Sequence, residues 1–244
     1  EARSLTKEGY YKDISFHVCS GEILGITGLV GSGRTGVIQT LFGILKPDSG
    51  DILLNGMKVR LSGSDMAKRL GISYVPEDRQ LGGLVMEFDA YENMTLVNYE
   101  DNTNRLGIVD KKRIHKLTDD MVEQMDVRPR MPGRKVKEFS GGNQQKIVIG
   151  KWLATTPKVL LVDEPTYGVD IGSKVEIHKL LRALAAKGMA IVVVSSELQE
   201  VLTMTDRIMV MRRGRMVAEM DANTADQETI MRYALMSSRE GKAQ

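Results

Sequence analysis

A glycine-rich stretch near the start of the chain has the residue types and spacing of a phosphate-binding loop. Residues 28–35 read GLVGSGRT, which fits the P-loop pattern except that Arg34 stands in the lysine position. An apolar run, 22–27, precedes the loop, and a segment with helical spacing, 37–42, follows it. Such a loop turns backbone N–H groups toward phosphate oxygens, and the helix N-terminus adds positive partial charge. We therefore expect nucleotide binding here, with hydrolysis left open because a guanidinium is planar and bulkier than an ammonium. The expected nucleotide contacts are Gly28, Val30, Gly31, Ser32, Gly33, Arg34, Thr35 and Gly36.

Two adjacent carboxylates end an apolar run further along the chain. Asp163 and Glu164 follow the residues VLLV at 159–162. In this position Asp163 could hold Mg²⁺, directly or through water, while Glu164 polarises an attacking water. An Asp-Glu pair alone could also cap a helix. Its position behind a phosphate-binding loop favours the catalytic interpretation.

A third motif, FSGGNQQK at 139–146, begins another helical segment. Backbone N–H groups and a hydroxyl at a helix start can bind an anion, although Ser-Gly-Gly alone is also an ordinary helix cap. Together with the other two motifs it resembles the signature sequence of ATP-binding cassette (ABC) transporters. The order of phosphate loop, signature, acidic strand and then Asp170 at the D-loop position resembles that cassette across nearly the whole chain. The expected contacts to a partner's ATP are Ser140, Gly141, Gly142, Asn143 and Gln144.

The resemblance can be narrowed by four stretches of sequence. The stretches are GRT in the phosphate loop, YVPEDR at 74–79, SGGNQQK at 140–146 and VSSE at 194–197. Together they resemble the second cassettes of fused two-cassette ATPases. Those proteins serve bacterial monosaccharide importers of the ribose, galactose and xylose type. The resemblance implies ATP and Mg²⁺ as cofactors, with Thr35, Asp163 and Glu77 near the metal and Glu164 and Ser196 as catalytic groups.

Four positions depart from the general ABC pattern. Arg34 replaces the loop lysine, Glu77 the Q-loop glutamine and Ser196 the switch histidine, whereas Asn143 replaces a signature glutamine. A serine hydroxyl can bind a phosphate but lacks the titratable ring of histidine. His17, His115 and His178 offer no replacement by sequence and are interpreted as structural.

These departures leave two interpretations of the site open. In one, the changes are drift in a cassette that still hydrolyses ATP. In the other, the resemblance implies head-to-tail pairs in which each ATP lies between one cassette's phosphate loop and the other's signature. The first three changes then weaken only the site on this domain's own loop, while its signature completes the partner's site. A non-catalytic, nucleotide-binding partner domain is the alternative to an active importer ATPase.

Composition limits the other classes of function. The 244 residues include 34 basic and 32 acidic side chains, a net charge of +2, without a long basic run, so a nucleic-acid-binding or ribosome-associated ATPase is disfavoured. No stretch reaches the roughly 20 apolar residues of a membrane span. The lone Cys19 fits a reducing compartment and is expected to be buried. The abrupt start at Glu1 suggests a domain from a longer polypeptide.

The partners implied by the resemblance place the domain at a membrane. They are a first cassette of the same polypeptide or a second copy, permease subunits reached through the Q-loop and helical subdomain, and indirectly a periplasmic or lipoprotein sugar-binding protein. No nucleic acid is expected. The implied location is the cytoplasmic face of the bacterial inner membrane.

Strand-like apolar runs alternate with helical patterns, which predicts an α/β fold of the ABC P-loop type with a mainly parallel sheet, an antiparallel β portion and an inserted helical subdomain. The expected strands are 14–18, 23–27, 52–54, 72–76, 159–163, 190–195 and 208–211. The expected units are 1–84 and 140–222 for the α/β core, 85–139 for the helical subdomain, and 223–244 for a closing helix and tail. Thr224 is a candidate N-cap of that helix, and Tyr11, or else Tyr10, is the candidate for stacking on adenine.

Overall fold

Strands and helices were assigned in a computed structural model that describes residues 1–103 and 108–235. Ten strands lie in two sheets. They are β1 (Ala2–Lys7), β2 (Tyr11–Phe16), β3 (Ile23–Gly28), β4 (Ser49–Leu54), β5 (Met57–Val59), β6 (Ile72–Val75), β7 (Val159–Asp163), β8 (Ala190–Val194), β9 (Arg207–Arg212) and β10 (Arg215–Asp221). The helices are α1 (Arg34–Leu41), α2 (Ser64–Arg69), α3 (Ala90–Asn98), α4 (Lys111–Gln124), α5 (Gly141–Leu153), α6 (Ile171–Ala186), α7 (Leu198–Met204) and α8 (Gln227–Leu235).

The larger sheet has the order β10-β9-β3-β8-β7-β6. Its strands are parallel except β10, which forms an antiparallel hairpin with β9. The central strands β3 and β8 are buried over nearly their whole length, which explains their continuous Val, Ile and Leu runs. Because parallel strands end at the same edge, Gly28 of β3 and Asp163 of β7 reach the edge where the chemistry was expected.

The smaller sheet is antiparallel, with the order β2-β1-β4-β5. It packs on the face of the larger sheet that carries α1, in a core formed by residues such as Leu5, Ile14, Ile26 and Val37. The predicted antiparallel portion is therefore present, but β1 and β5 were missed. The strand expected at 14–18 begins at Tyr11 and ends at Phe16, so His17 lies just after it.

Helices α3 and α4 lie in the segment predicted as a helical subdomain. They pack against α5, which also packs against β6 and α6 of the core. The proposed limits of 85–139 stay a prediction, because α5 belongs to both groups of contacts. Between residues 1 and 103 and between 108 and 235, none of the helices combines the length and apolarity that crossing a bilayer requires.

Two local expectations were wrong. Cys19 is exposed rather than buried, because it lies in the turn after β2. The closing helix begins at Gln227, and Asp226 rather than Thr224 caps it: the Asp226 carboxylate accepts a hydrogen bond from the Thr229 N–H at 2.7 Å. The Thr224 hydroxyl instead donates to the Asp221 carbonyl. The tail after residue 235, part of the predicted last unit, lies outside the described residues.

Candidate nucleotide site and signature surface

The phosphate loop joins β3 to α1, as the sequence predicts. Two of its glycines are sterically required. At Gly28 (φ +150°) a Cβ would lie 2.1 Å from the Met211 carbonyl oxygen, and at Gly33 (φ +97°) it would lie 2.4 Å from that of Tyr10. Close backbone contacts with β9 and with the residue before β2 therefore constrain the conformation of the loop.

Three polar atoms at this edge of the sheet are buried without a hydrogen-bond partner among the residues that the structure describes. They are Ser32 Oγ, one terminal nitrogen of Arg34 and Asp163 Oδ1. Buried polar groups normally have hydrogen-bond partners. A hydroxyl, a guanidinium and a carboxylate that all lack one therefore indicate a ligand site. A phosphate facing Ser32 and Arg34, with a cation near Asp163, would satisfy all three.

Arg34 contacts Glu164, the expected catalytic acid, rather than open solvent. Arg34 is the first residue of α1 and is 7% exposed. Its guanidinium lies 3.7 Å from Glu164 Oε1. Burial lowers the pKa of Arg34, and the Glu164 carboxylate opposes that shift. The Arg34 guanidinium, which the loop would offer to a phosphate, thus also interacts with Glu164, the group expected to polarise water.

Asp163 is fully buried at the end of β7 and accepts a hydrogen bond from the Tyr74 hydroxyl at 3.2 Å. Burial raises the pKa of Asp163 to about 7, and the negative charges of Glu77 and Glu164 add to the shift; a hydrogen bond from Thr35 opposes it. The unpaired Oδ1 and the nearby Thr35 hydroxyl are oxygen ligands of the kind Mg²⁺ prefers.

A bound Mg²⁺ would supply positive charge to phosphate oxygens and favour the ionised form of Asp163. In the described part of the chain no three metal-binding His, Cys, Asp or Glu side chains cluster together. Mg²⁺ held by one carboxylate, one hydroxyl and the phosphates needs no such cluster. The donor set therefore fits the ion, with Glu77 acting through its charge.

Glu164 is held by the switch position. The Ser196 N–H donates to Glu164 Oε1 at 2.9 Å and Oε2 at 3.1 Å, and the Ser196 hydroxyl donates to Oε2 at 3.1 Å. Burial raises the pKa of Glu164, whereas these hydrogen bonds lower it. A contact of Ser196 with a phosphate stays a prediction; the bonds seen here orient the Glu164 carboxylate. Glu164 itself has a left-handed backbone, φ +46°, which fits a constrained functional position.

A buried carboxylate missed by sequence reasoning supports this pair. Glu200, in the first turn of α7, accepts hydrogen bonds from the hydroxyls of Ser195 and Thr166 and contacts His178 Nε2 at 2.9 Å. Ser195 precedes the switch serine, and Thr166 follows the acidic pair by two residues. Glu200 therefore ties both segments to α6, which carries His178. The only sequence signal was a glutamate after the 194–197 motif.

The signature motif begins α5, with Ser140 as N-cap. Its hydroxyl accepts a hydrogen bond from Asn143 Nδ2 at 2.8 Å, and Asn143 Oδ1 accepts one from the Arg128 N–H at 2.7 Å. The assignment of Gln144 to the partner's ATP is wrong. Its side chain is buried and its Nε2 donates to the carbonyls of Val136 and Phe139, because it anchors the turn before α5.

Asp170 caps α6, accepting hydrogen bonds from the Ser173 N–H at 3.0 Å and hydroxyl at 2.7 Å. These bonds lower the pKa of Asp170. Ser173 also packs on the signature, since a Cβ on Gly142 would lie 2.1 Å from its Oγ. The starts of α5 and α6 therefore form one surface.

A family model described as "ABC transporter" matches residues 11–167, which include the phosphate loop, the signature and the acidic pair. This chain belongs to the ABC transporter family. Two solved cassettes show the same fold: a nucleotide-free ATP-binding cassette from an ABC transporter (TM-score 0.83, 22% identity, 97% of this chain and 98% of that chain) and a dimeric cassette bound to ADP and Pi (TM-score 0.77, 24%, 91% and 97%).

Curated relatives of this ABC cassette are similar over nearly its whole length. The ribose import ATP-binding protein of Geobacillus kaustophilus is 43% identical over 235 residues, which are 96% of this chain and 47% of that protein. A ribose import ATP-binding protein of Streptomyces coelicolor is also 43% identical over 235 residues, 96% of this chain and 45% of that protein. The chain spans about half the length of the curated relatives it matches.

The assignment of Tyr11 as the adenine-stacking residue of the cassette is wrong. Tyr11 is 3% exposed, and its hydroxyl donates to Thr40 Oγ1 at 2.6 Å, because β2 turns this side chain into the core. Tyr10 is 49% exposed and covers Gly36 at the start of α1, where a Cβ would lie 2.9 Å from its ring. Tyr10, the alternative, has the free ring face beside the phosphate loop.

Separate effects are expected from changing these two tyrosines. Tyr10→Ala removes an exposed ring at the loop and should weaken ATP binding by about tenfold, within the range measured for base stacking. Tyr11→Phe removes one buried hydrogen bond and should lower the free energy of unfolding by about 1 kcal/mol while leaving ATP affinity intact. Calorimetric titration and thermal melts of the isolated domain measure both. Equal loss of ATP affinity in the two variants would contradict this assignment.

Proposed function

We propose that this cassette couples ATP binding and hydrolysis to the import of a ribose-type monosaccharide, and that it contributes the weaker nucleotide site of a cassette pair. One observation carries the asymmetric part. Both Arg34 and Ser196, the substituted groups of the domain's own site, contact Glu164. The side chains available for transition-state charge on its own ATP are therefore partly used within the protein.

The sugar-import part of the proposal is supported by the relatives named for ribose import. They are about twice as long as this chain, which leaves length for a first cassette of similar size in such a protein. A second copy of the chain is the other candidate partner. Mg²⁺ is the proposed companion of ATP, with Thr35, Asp163 and Glu77 as the groups nearest to it.

Pairing with another cassette is supported by apolar side chains around the motifs. Val30 of the phosphate loop is 93% exposed, and Tyr167, Ile171 and Val175 are exposed beside the Asp170 cap. Large apolar side chains exposed beside these motifs are typical of a protein interface. A head-to-tail partner would cover them and would bring its ATP to the Ser140 end of α5.

A second apolar group supports contact with a permease. Leu81, in the helical turn Arg79–Gly83 after β6, is 89% exposed, and Val85, Phe88 and Leu96 are exposed nearby in the chain. Exposed apolar side chains of this kind suit contact with a helix or loop of a membrane subunit. This arrangement would place the cassette at the cytoplasmic face of the inner membrane, with a sugar-binding protein acting through the permease.

The alternative function, a non-catalytic nucleotide-binding partner, rests on the same Arg34–Glu164 contact. It differs in that ATP on this domain's own loop would never turn over. A nucleic-acid-associated role has no support from the net charge of +2.

Uptake by the full polypeptide with its permease in liposomes tests the transport proposal. With ATP inside and a sugar-binding protein outside, we expect accumulation of labelled ribose or a related monosaccharide, and none with a non-hydrolysable ATP analogue. A disaccharide is the matched control substrate. The proposal fails if ATP drives uptake of no monosaccharide.

A further inference from the structure

Arg79 joins three segments that carry different motifs. It is the first residue of the helical turn Arg79–Gly83, two positions after Glu77. Its guanidinium donates hydrogen bonds to the carbonyls of Tyr167 at 2.7 Å and Gly168 at 3.3 Å. Its Nε donates to Gln144 Oε1 at 3.3 Å. One side chain therefore connects the Q-loop, the D-loop and the signature helix.

The turn that begins with Arg79 is fixed along α5 at further points. The Asp78 carboxylate caps the turn, accepting hydrogen bonds from the N–H groups of Gln80 and Leu81. At the other end, the Gly83 carbonyl accepts a hydrogen bond from the buried Lys151 ammonium, and a Cβ on Gly83 would lie 3.0 Å from Val148. The turn thus contacts α5 from its first to its third helical turn and should move with it.

The acceptors of Arg79 are backbone carbonyls and an amide rather than an acid. Within residues 1–103 and 108–235, no carboxylate lies within ion-pair distance of its guanidinium. Bonds to two successive carbonyls depend on the local backbone path, which Gly168 takes through a left-handed conformation, φ +65°. Planar guanidinium donors suit such a fork, and an ammonium does not reproduce it. The hydrogen bonds of Arg79 therefore form only when the D-loop backbone has this position.

Between the Q-loop and the domain's own nucleotide site, the part of the chain that the structure describes shows charge effects of Glu77 but no hydrogen bond to its carboxylate. Glu77 influences Asp163 and Arg34 through its charge. Among the described residues its carboxylate forms no hydrogen bond or ion pair. Movement of the turn that carries Leu81 would therefore reach the signature and the D-loop through direct bonds, and the domain's own phosphate loop only through electrostatics.

We propose that Arg79 is a positioning residue that transmits movement of the permease-facing turn to the signature and D-loop, and so to the ATP held by the partner cassette. This inference rests on the proposed function, since it assumes a cassette pair and a permease. The signature and D-loop are the surfaces offered to the partner. Movement of the permease would thereby change hydrolysis of the ATP held by the partner cassette.

The test measures coupling in the full polypeptide assembled with its permease in nanodiscs. The sugar-loaded binding protein should stimulate ATP hydrolysis, and Arg79→Met, which removes all three hydrogen bonds, should reduce that stimulation by at least about tenfold, since even one charge-assisted hydrogen bond contributes that much. The KM for ATP should stay unchanged. Arg79→Lys should retain part of the stimulation, because an ammonium can still reach one carbonyl. Arg60→Met, an exposed arginine, is the matched control and should behave as the wild type.

Several outcomes would overturn this role. Full stimulation in Arg79→Met, or a raised KM for ATP with unchanged stimulation, would remove Arg79 from the coupling path. If Arg79→Met does not fold, Arg79→Lys decides, and wild-type stimulation in that variant excludes the fork of hydrogen bonds. Absence of sugar uptake by the wild-type assembly would instead refute the proposed function, and this inference with it.

Discussion

Ser140→Arg in the full polypeptide is expected to lower ATP turnover by about a hundredfold or more, the loss seen when a transition-state donor is removed. Arg34→Ala should lower turnover by less than about tenfold. Ser140 opens α5 at the surface proposed to face the partner's ATP, and an arginine there would fill the space of the phosphate. In the proposed pair Arg34 would serve only the domain's own ATP, and its charge is already partly neutralised by Glu164, 3.7 Å away.

Steady-state ATPase assays of both variants with permease and binding protein measure this difference. Ser64→Arg, which places the same side chain at the exposed start of α2, is the control for folding and charge. Equal loss of turnover in Ser140→Arg and Arg34→Ala would refute the asymmetric pair. In the Ser140→Arg background, any remaining turnover that Arg34→Ala then removes would show that this domain's own site is catalytic rather than merely occupied.

The parts of the site that the sequence could predict are those encoded by adjacent residues. The phosphate loop, the acidic pair and the signature each combine a local backbone signal with polar groups, and the parallel strands bring them to one edge. The family resemblance added their order along the chain, and the match over residues 11–167 confirms it. Their mutual position followed from the fold class alone.

The parts that the sequence could not predict depend on contacts between distant segments. Arg79 reaches carbonyls 88 and 89 residues away, and Glu200 collects hydroxyls from two separate motifs. Nothing in either residue's neighbours indicates these partners. Gln144 was misassigned for the same reason, since its burial depends on the turn before α5 and on the Arg79 guanidinium.

The choice between Tyr10 and Tyr11 failed on register. The pairing of β1 with β2 shifts twice between Ala2 and Lys7, so simple alternation does not tell which tyrosine points inward. Strand β1 itself, with the sequence ARSLTK, carries little apolar signal and was missed. Tyr10 lies in the turn before β2, whereas Tyr11 is the first residue of that strand and is buried, so the strand boundary decides which ring is exposed.

Asp163→Asn is expected to stabilise the nucleotide-free, metal-free domain at pH 8, even though it removes a proposed Mg²⁺ ligand. The pKa of Asp163 is about 7 in the folded chain against an ordinary value of 3.8, so folding favours the protonated form. Between these two values the folded state binds more protons than the unfolded state, and stability falls as the pH rises. Above pH 7 the ionised Asp163 costs about 4 kcal/mol, an upper limit set by that shift.

The asparagine side chain removes this charge and keeps an oxygen to accept the Tyr74 hydroxyl. Because the amide is neutral, it also removes the repulsion from the charges of Glu77 and Glu164. Thermal melts in EDTA should therefore show the variant melting several degrees above the wild type at pH 8, with the difference closing as the pH falls toward 4. Less stabilisation at pH 8 than at pH 5 would contradict the assignment of an uncompensated charge.

Asp170→Asn is the matched control, because hydrogen bonds from Ser173 lower the pKa of Asp170. Its carboxylate therefore stabilises the fold above its ordinary pKa, and that contribution is lost as the pH falls through the lowered value. The Asp170→Asn variant should melt below the wild type at pH 8, opposite in sign to Asp163→Asn. Adding Mg²⁺ and ATP should then raise the melting temperature of the wild type more than that of Asp163→Asn, since only the wild type keeps the carboxylate whose ionisation the cation favours.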